Sequence, residues 1–241
     1  MKILALDSSG LVASASIWEG EPGSTGVILA SSSTDFKKTH SQTLLPMVDQ
    51  ICKATDSEPG SFDAVAISAG PGSFTGLRIG SATAKAIAQA VGIPVIEVPT
   101  LEGLAFNFWG ASALICPMMD ARRDQVYSAL YGFEEGRLKV HREQEALAVT
   151  EMIDAVNDMG REVIFLGDGS DAYHEVIDEN VKVPFSFAPA HLNRQNASSV
   201  AVLGSQMYAE NKYVKAEDHS PVYLRVSQAE REGAKNFDLR Q

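Results

Sequence analysis

The sequence is short of cysteine and of long apolar runs. Two cysteines among 241 residues, Cys52 and Cys116, are too few and too far apart for a disulfide framework or a cysteine-rich zinc site. No uncharged apolar stretch approaches the roughly 20 residues that cross a bilayer. The chain reaches the carboxylate of Asp7 after only four apolar residues, which is too short for a secretory signal. These absences predict a cytoplasmic protein that does not enter a membrane.

Basic residues are also scarce. Lys and Arg number 20 against 31 Asp and Glu, which leaves a formal net charge of −11. Unspecific affinity for nucleic acid comes from clustered Lys and Arg, so this chain is not expected to grip a phosphate backbone by itself. Any role near RNA therefore predicts a basic partner. Hydrophobic residues make up 45% of the chain, which excludes global disorder.

What is present is a repeated α/β pattern. The first half predicts strands at 3–6, 11–17 and 26–32, a helix at 40–54, a strand at 62–69, a helix at 74–91 and a strand at 93–98. The second half predicts strands at 113–119, 124–131 and 137–140, a helix at 150–158 capped by Thr150, a strand at 163–166, a short helix at 172–177 and a final helix at 197–211. Two βββαβα units predict two α/β lobes with a cleft between them.

The domain boundaries follow from this repeat. We predict a first lobe at 1–102, a second lobe at 103–225 and a polar tail at 226–241. The final helix is expected to pack back on the first lobe.

The strongest local motif is the turn Gly70-Pro71-Gly72-Ser73 between a predicted strand and a predicted helix. Glycines permit close backbone approach, and the free N–H groups of a helix start bind anions, so Gly70, Gly72 and Ser73 are candidates for phosphate contact. The spacing matches neither the dinucleotide fingerprint nor the P-loop. A tight turn with Ser73 as helix cap is the alternative.

Asp7 and Ser8 end the first predicted strand and join the same set of nucleotide candidates. A carboxylate at this place in a nucleotide-binding α/β fold holds magnesium through water. Alternatively, Asp7 accepts hydrogen bonds from its own hairpin turn.

Small residues follow one face of the helix at 74–91, at a spacing of four: Gly76, Gly80, Ala84 and Ala88. Such a stripe lets another helix approach closely, either within the chain or from another subunit. The helix at 40–54 carries an apolar stripe of its own: Leu44, Leu45, Val48, Ile51 and Cys52.

The sequence contains no complete active site. Its histidines form no metal-binding pair and its serines form no nucleophile elbow; the histidines are His40, His141, His174, His191 and His219. The charged segment at 119–127 predicts an exposed hairpin turn.

Five segments resemble the TsaB (YeaZ) family in order and spacing over nearly the whole chain: 3–9, 40–46, 70–80, 120–127 and 221–225. That family has the actin-like, sugar-kinase and Hsp70 ATPase (ASKHA) fold. The resemblance implies a role in making N6-threonylcarbamoyladenosine beside the anticodon of tRNAs that read codons beginning with A. In that pathway TsaC makes threonylcarbamoyl-AMP, and TsaD transfers the threonylcarbamoyl group with help from TsaB and the ATPase TsaE.

The resemblance also implies that the chain is not itself the transferase. The two positions that match the metal-binding histidines of TsaD are Thr100 and Leu104. Leucine cannot donate to a metal, and a threonine hydroxyl is a poor replacement for imidazole. We therefore expect no catalytic and no metal-ligating residues.

Partners are implied by the same resemblance, because the first two helices form the family's contacts with TsaD and within its homodimer. The residues expected at this interface are His40, Leu44, Leu45, Val48, Gly76, Arg78, Gly80, Ala84 and Ala88. A homodimer and a TsaD complex would then compete for one surface. A bulky residue at Gly80 is expected to weaken TsaD binding and to leave the fold mostly intact. Contact with tRNA is expected only indirectly, through the complex.

No tightly bound cofactor is expected. Whether ATP or ADP with Mg binds in the lobe cleft or at a subunit junction is left open by the sequence. Two alternatives stay open. One is a stand-alone ATP-hydrolysing ASKHA enzyme that uses Asp7, and the other is a glycoprotease-like metallopeptidase.

Overall fold

Two five-stranded sheets organise the computed structural model, which describes residues 1–36 and 38–225, so the predicted tail at 226–241 lies outside the described residues. The first sheet contains β1 (Lys2–Asp7), β2 (Ala13–Glu19), β3 (Val27–Thr34), β4 (Ala64–Gly70) and β5 (Val95–Pro99), in the order β3-β2-β1-β4-β5. The second contains β6 (Leu114–Arg122), β7 (Gln125–Glu134), β8 (Arg137–Ala148), β9 (Val163–Leu166) and β10 (Phe185–Phe187), in the order β10-β9-β6-β7-β8. Both orders describe one topology, with an antiparallel meander followed by parallel strands. The predicted duplication of an α/β unit is confirmed.

Seven α-helices connect and cover these strands within the described residues: α1 (His40–Ala54), α2 (Phe74–Val91), α3 (Thr100–Ala105), α4 (Val149–Met159), α5 (Asp168–Ala172), α6 (His174–Asn180) and α7 (Ala197–Ala209). The bounds of α1, α2 and β9 are those predicted. The helix predicted at 172–177 is replaced by α5 and α6, and β8 is longer than predicted. Neither α3 nor β10 was predicted, because elements of six and three residues are too short to show a period.

The predicted cap of α4 is wrong. The helix begins at Val149 with Ala148 in the cap position, and Thr150 lies inside its first turn. Val149 is buried, and its N–H donates to the carbonyl of Asp124 at 3.2 Å. A backbone partner from the neighbouring turn therefore replaces the side-chain cap.

The first sheet is covered on both faces, because its strands alternate their side chains between two cores. Leu4 and Leu6 of β1 pack in the core that α1 and α2 close. Ile3 and Ala5 point to the opposite core, which α7 closes. At Gly204 of α7, an added Cβ would lie 3.0 Å from the Cβ of Ala66, so helix and sheet are in close contact. The last helix thus packs on the first sheet.

The short helix α3 joins the two lobes. Leu101, Leu104 and Ala105 are buried in a core shared with Ile115 and Tyr131 of the second sheet. The predicted boundary after residue 102 falls inside this helix and stays a prediction. None of the helices in the described ranges is long and apolar enough to span a membrane.

Candidate functional site

A cleft of about 980 Å³ lies between the two lobes. The first lobe lines it with the β1–β2 turn and with the N-terminal ends of α1 and α2. The second lobe lines it with the β6–β7 turn and the start of α5, and residues 222–225 complete the wall. Clefts between lobes are the usual place for ligand binding, so this is the candidate functional site.

Asp7 lies beside this cleft but is not part of its lining. The carboxylate is 1% exposed; Oδ1 accepts the N–H and the hydroxyl of Ser9 at 2.8 and 2.7 Å, and Oδ2 accepts the hydroxyl of Ser68 at 2.5 Å. Burial raises the pKa of Asp7, and the hydrogen bonds from Ser68 and Ser9 act in the opposite direction. Asp7 therefore holds the end of β1 to β4, and its predicted role toward magnesium stays a prediction.

Ser8 and the glycine-rich turn also form hydrogen bonds within the chain. The hydroxyl of Ser8 donates to the carbonyl of Gly76 at 2.9 Å. The N–H of Gly70 donates to the hydroxyl of Thr100 at 3.1 Å, and the N–H of Ser73 donates to the carbonyl of Ser9 at 2.7 Å. Two of the donors on which the phosphate interpretation rests therefore have partners within the chain.

Ser73 is the N-terminal cap of α2, because its hydroxyl accepts a hydrogen bond from the N–H of Gly76 at 3.3 Å. This is the alternative that the sequence offered for the turn. Ser73 and Gly72 do line the cleft, whereas Gly70 and Ser8 do not.

The small-residue stripe of α2 faces inward, which corrects its assignment to a partner interface. Gly76, Gly80, Ala84 and Ala88 are buried by the chain itself. A Cβ at Gly80 would overlap the Ser8 hydroxyl, and one at Gly76 would overlap the Ser8 carbonyl oxygen. The stripe exists because α2 lies unusually close to the end of β1. The expectation that a bulky residue at Gly80 spares the fold stays a prediction, and the overlap with Ser8 argues against it.

Two residues of α1 in the predicted interface are likewise buried. Leu44 and Val48 pack in the core of the first lobe at 1% and 7% exposure, beside Met47 and Ile51. They are therefore not available to a partner in this structure. Leu45 was placed on the same stripe, but it points outward at 58% exposure.

An outer helix face remains, and we define it as Leu45, Phe74, Arg78, Ala82 and Ala86. All five side chains are exposed on α1 and α2. The guanidinium of Arg78 lies 5.5 Å from the ring centre of Phe74. This face combines apolar and small residues, so a partner helix could approach it closely.

His40 links α1 to the cleft. Its Nε2 lies 2.9 Å from the carbonyl oxygen of Gly10, and because a carbonyl oxygen can only accept, Nε2 is the donor of this contact. This contact ties the start of α1 to the β1–β2 turn. His40 thus lines the cleft rather than the outer helix face.

The second lobe brings two acidic groups to the cleft: Asp120, from the charged segment at 119–127, and Asp168, which the sequence analysis did not single out. Burial raises the pKa of Asp168, and the N–H of Asp120, 3.4 Å away, partly offsets this. Asp120 also pairs with Arg122 at 3.2 Å. The charged segment at 119–127 was predicted as an exposed hairpin turn, and Arg123 and Asp124 form a two-residue loop with positive φ between β6 and β7.

Two arginines connect the two lobes, and sequence reasoning missed both roles. Arg194 pairs with Asp171 at 2.7 Å and with Asp35, which follows β3, at 3.4 Å. Arg225 donates to the carbonyl of Ala121 at 2.8 Å. Only the resemblance at 221–225 hinted at Arg225, and no sequence signal marks Arg194.

Residues 222–225 reach the cleft along the first lobe. The N–H of Val222 donates to the carbonyl of Ala69 at 2.7 Å, and Tyr223 packs on Phe74 with ring centres 4.9 Å apart. This segment therefore joins the end of β4 to the start of α2 before Arg225 reaches the second lobe.

Thr100 and Leu104 are both buried, at 0% and 1% exposure. Thr100 accepts the Gly70 N–H, as described above, and Leu104 packs in the core between α3 and the second sheet. Across residues 1–36 and 38–225, no group of three or more His, Cys, Asp and Glu side chains could hold a metal ion.

The chain is similar to proteins of one family over most of its length. The family model TsaD, described as tRNA N6-adenosine threonylcarbamoyltransferase, matches residues 29–232. The tRNA threonylcarbamoyladenosine biosynthesis protein TsaB of Bacillus subtilis is 30% identical over 230 residues, which cover 95% of this chain and 96% of that one. TsaB of Escherichia coli is 31% identical over 229 residues, covering 93% and 95%.

A solved structure gives the same result. YeaZ from Pseudomonas aeruginosa superimposes with a TM-score of 0.75 at 26% identity, over 92% of this chain and 99% of that one.

Proposed function

This chain belongs to the TsaB family, whose members act in tRNA threonylcarbamoyladenosine biosynthesis, and we propose that it is a non-catalytic subunit of that pathway. It binds the transferase TsaD and activates it together with TsaE, in the cytoplasm. The modified base is the adenosine next to the anticodon. The ASKHA fold that the resemblance implied agrees with the duplicated sheets.

One observation carries the non-catalytic part of this proposal. Thr100 and Leu104, which stand where the transferase has its metal-binding histidines, are buried and engaged in packing and backbone hydrogen bonding. A metal-assisted transfer needs imidazole or carboxylate ligands that open onto a substrate. Neither position offers such a ligand.

TsaD binds to the outer helix face rather than to the buried stripe. Leu45, at 58% exposure, and Phe74, at 40%, supply apolar contact area. Ala82 and Ala86 lie on the same exposed side of α2 and allow a facing helix to come near. The other subunits make the contact with tRNA, because a chain with a net charge of −11 repels the phosphate backbone.

Nucleotide fits poorly at the residues that the sequence nominated. Asp7 and Ser8 are buried and hydrogen-bonded, and the N–H groups of Gly70 and Ser73 donate to other residues of the chain. We therefore assign no reaction step to nucleotide in this chain. ATP or ADP with Mg, where the complex uses it, binds at the junction with a partner subunit.

The test is reconstitution of tRNA modification from purified TsaC, TsaD and TsaE, with and without this chain. We expect modification only when the chain is present, and none from the chain alone. Ala82→Arg should weaken TsaD binding in calorimetry by about tenfold or more, because the long charged side chain separates the two helices. Ala172→Arg, on an exposed alanine of the second lobe, is the matched control and should bind as the unmodified chain does.

Two outcomes contradict the proposal. Full modification by TsaC, TsaD and TsaE without this chain removes its role as activator. Equal affinity of the Ala82→Arg and Ala172→Arg variants for TsaD removes the outer helix face as the contact.

A further inference from the structure

A second pocket, of about 670 Å³, lies on the side of the first sheet that α7 covers. It is lined by α7, by the β2–β3 turn, by the segment 106–109 that follows α3 and by the β7–β8 turn. Within the described ranges, its lining residues are all different from those of the cleft between the lobes. The volume is in the range of pockets that hold small molecules. We call it the α7 pocket.

The walls of the α7 pocket are held to one another by hydrogen bonds. The N–H of Gly23, in the β2–β3 turn, donates to the carbonyl of Ser205 on α7 at 3.1 Å. The hydroxyl of Ser199 on α7 donates to the side-chain oxygen of Asn107 at 2.7 Å. The pocket is therefore formed before a ligand arrives, which lowers the entropy cost of binding.

Trp109 gives the pocket an exposed aromatic ring of fixed orientation. Its Nε1–H donates to the carbonyl of Gly136 in the β7–β8 turn at 3.0 Å, and yet the side chain is 53% exposed. Gly136 has a φ of +76°, and a Cβ there would lie 3.3 Å from Cζ2 of the indole, so the ring packs against the turn. An exposed indole that is already held in place is a platform on which a planar ring stacks.

Gln206 is the polar group that selects among planar rings. It lies on α7 and lines the pocket together with Val202 and with Phe106, which is 5% exposed. A primary amide presents an N–H donor and a carbonyl acceptor side by side. The N6 and N7 edge of adenine is the complementary pair, an amine donor beside a ring acceptor, and Gln binds this edge through two hydrogen bonds. The lining therefore favours adenine over a base that presents two acceptors there.

The charged groups of the lining do not favour phosphate. They are Glu135, Arg137 and Glu210. Arg137 already pairs with Glu210 at 3.7 Å, and Lys212 pairs with the same carboxylate at 2.7 Å. Glu135 adds a further negative charge, and the net charge of −11 acts in the same direction. An uncharged ligand therefore fits this pocket better than an anionic one.

We propose that the α7 pocket binds an adenine nucleoside that carries no phosphate, with its base stacked on Trp109 and its N6 and N7 edge bonded to Gln206. A ligand of this size makes few contacts, so we expect a dissociation constant on the order of 100 μM. The pocket lies apart from the cleft, and the outer helix face is on the other side of the first sheet. The proposal therefore does not depend on TsaD binding.

The first experiment titrates the full chain with adenosine and follows the tryptophan emission. The chain has two tryptophans, and Trp18 is 0% exposed, so quenching reports on Trp109. Inosine is the matched probe, because it has an oxygen in place of the N6 amine and presents two acceptors to Gln206. We expect quenching by adenosine, and we expect inosine and AMP to bind about tenfold more weakly or less.

Variants measured by calorimetry locate the ligand. Trp109→Leu should weaken adenosine binding by about tenfold or more, because it removes the stacking ring. Phe36→Leu is the matched control, since Phe36 is an exposed aromatic side chain that lines the cleft instead, and it should leave the affinity unchanged.

A second variant tests the role of the amide. Gln206→Ala should remove the preference for adenosine over inosine, which a general loss of structure would not do. Thermal melting of each variant checks the fold, and Trp109→Leu should melt close to the unmodified chain, since the side chain is half exposed.

The proposal is overturned if adenosine at millimolar concentration gives neither quenching nor heat. Equal affinity for adenosine and inosine overturns it as well, and so does equal affinity of Trp109→Leu and Phe36→Leu for adenosine. Loss of binding in Phe36→Leu alone would assign the ligand to the cleft and would contradict the α7 pocket.

Discussion

The two lobes share a strand order but end their central strands differently. In each lobe, different residues follow the last residue pair of the central parallel strands: Asp7 and Ser68 follow Leu6–Ile67 in β1–β4, and Met118 and Gly167 follow Pro117–Leu166 in β6–β9. In the first lobe the two strand ends are joined by a carboxylate and hydroxyl groups. In the second lobe the same place holds an apolar side chain and a glycine. Duplicated topology therefore does not imply duplicated chemistry.

In the second lobe, direct backbone contact takes the place of the side-chain network. Gly167 has a φ of +98°, and a Cβ there would overlap the carbonyl oxygen of Met118. Its N–H donates to the side chain of Asn193 at 2.7 Å. Met118 itself is 0% exposed and packs in the core of the second lobe. Glycine is required because other residues rarely adopt this backbone conformation.

The helices that follow these strands differ as well. The first lobe continues into the 18 residues of α2, and the second into the five residues of α5. A long helix that lies close to its sheet leaves a broad outer face, whereas a short one does not. The lobes therefore differ in what they present: the first has the broad outer helix face that we propose as the contact with TsaD, and the second brings Asp120 and Asp168 to the cleft.

The strongest test of this difference places a carboxylate at the strand end of the second lobe, where the first lobe has Asp7. Met118→Asp should destabilise the fold by about 4 kcal/mol or more, because it buries a carboxylate while the hydroxyl of Ser128, the partner of Met118 on β7, already donates to the carbonyl of Pro117. Gly167 cannot be changed to serine to supply one, given its backbone conformation. Denaturant unfolding measures the loss, with Met118→Leu as the control. A stability equal to that of the control would show that the two strand ends are interchangeable.

A smaller change tests how closely α2 lies against the first lobe. Gly80→Ala should lower the free energy of unfolding by about 1–3 kcal/mol, because the new methyl group meets Ser8 and Ile67 and outweighs the gain in helix propensity. Gly60→Ala, where a Cβ meets nothing within 4 Å, should change stability little. If urea unfolding gives both variants the same loss of stability, α2 has room for a methyl group at Gly80 and does not lie tightly against the first lobe.

The smallest effect concerns the junction between the lobes. Burial, and to a lesser degree the charge of Glu143, raises the pKa of Glu102 on α3 from about 4.5 to about 7. Between these values the folded chain keeps a proton that the unfolded chain has lost, so stability falls as pH rises from 4.5 to 7. Glu102→Gln should remove this part of the pH dependence. The variant should match the unmodified chain near pH 4 and exceed it in stability near pH 8 by about 1 kcal/mol or more.

Thermal unfolding followed across that pH range checks this prediction. A parallel pH profile for the variant and the unmodified chain would contradict it.

Much of the fold could be predicted, because it is encoded in local periodicity. The apolar repeats of α1 and α2 and the apolar run of β9 specify those elements completely. The direction in which the α2 stripe faces could not be predicted, since a row of small residues permits a close neighbour on either side. The hydrogen bonds of Asp7 could not be predicted for a related reason. Ser68 lies 61 residues away along the chain, and no local pattern links the two residues.

The sequence by itself determined the duplicated α/β order, the acidic charge and the family, since these depend on composition, period and motif order. Only the tertiary structure decided which of these side chains are exposed. Helix packing buries Gly76, Gly80, Ala84 and Ala88 and leaves Ala82 and Ala86 exposed two residues further along. Likewise, β3 becomes an open edge only because the order of strands in the sheet places it last. Burial is a property of what surrounds a residue in space, and neighbours along the chain do not specify it.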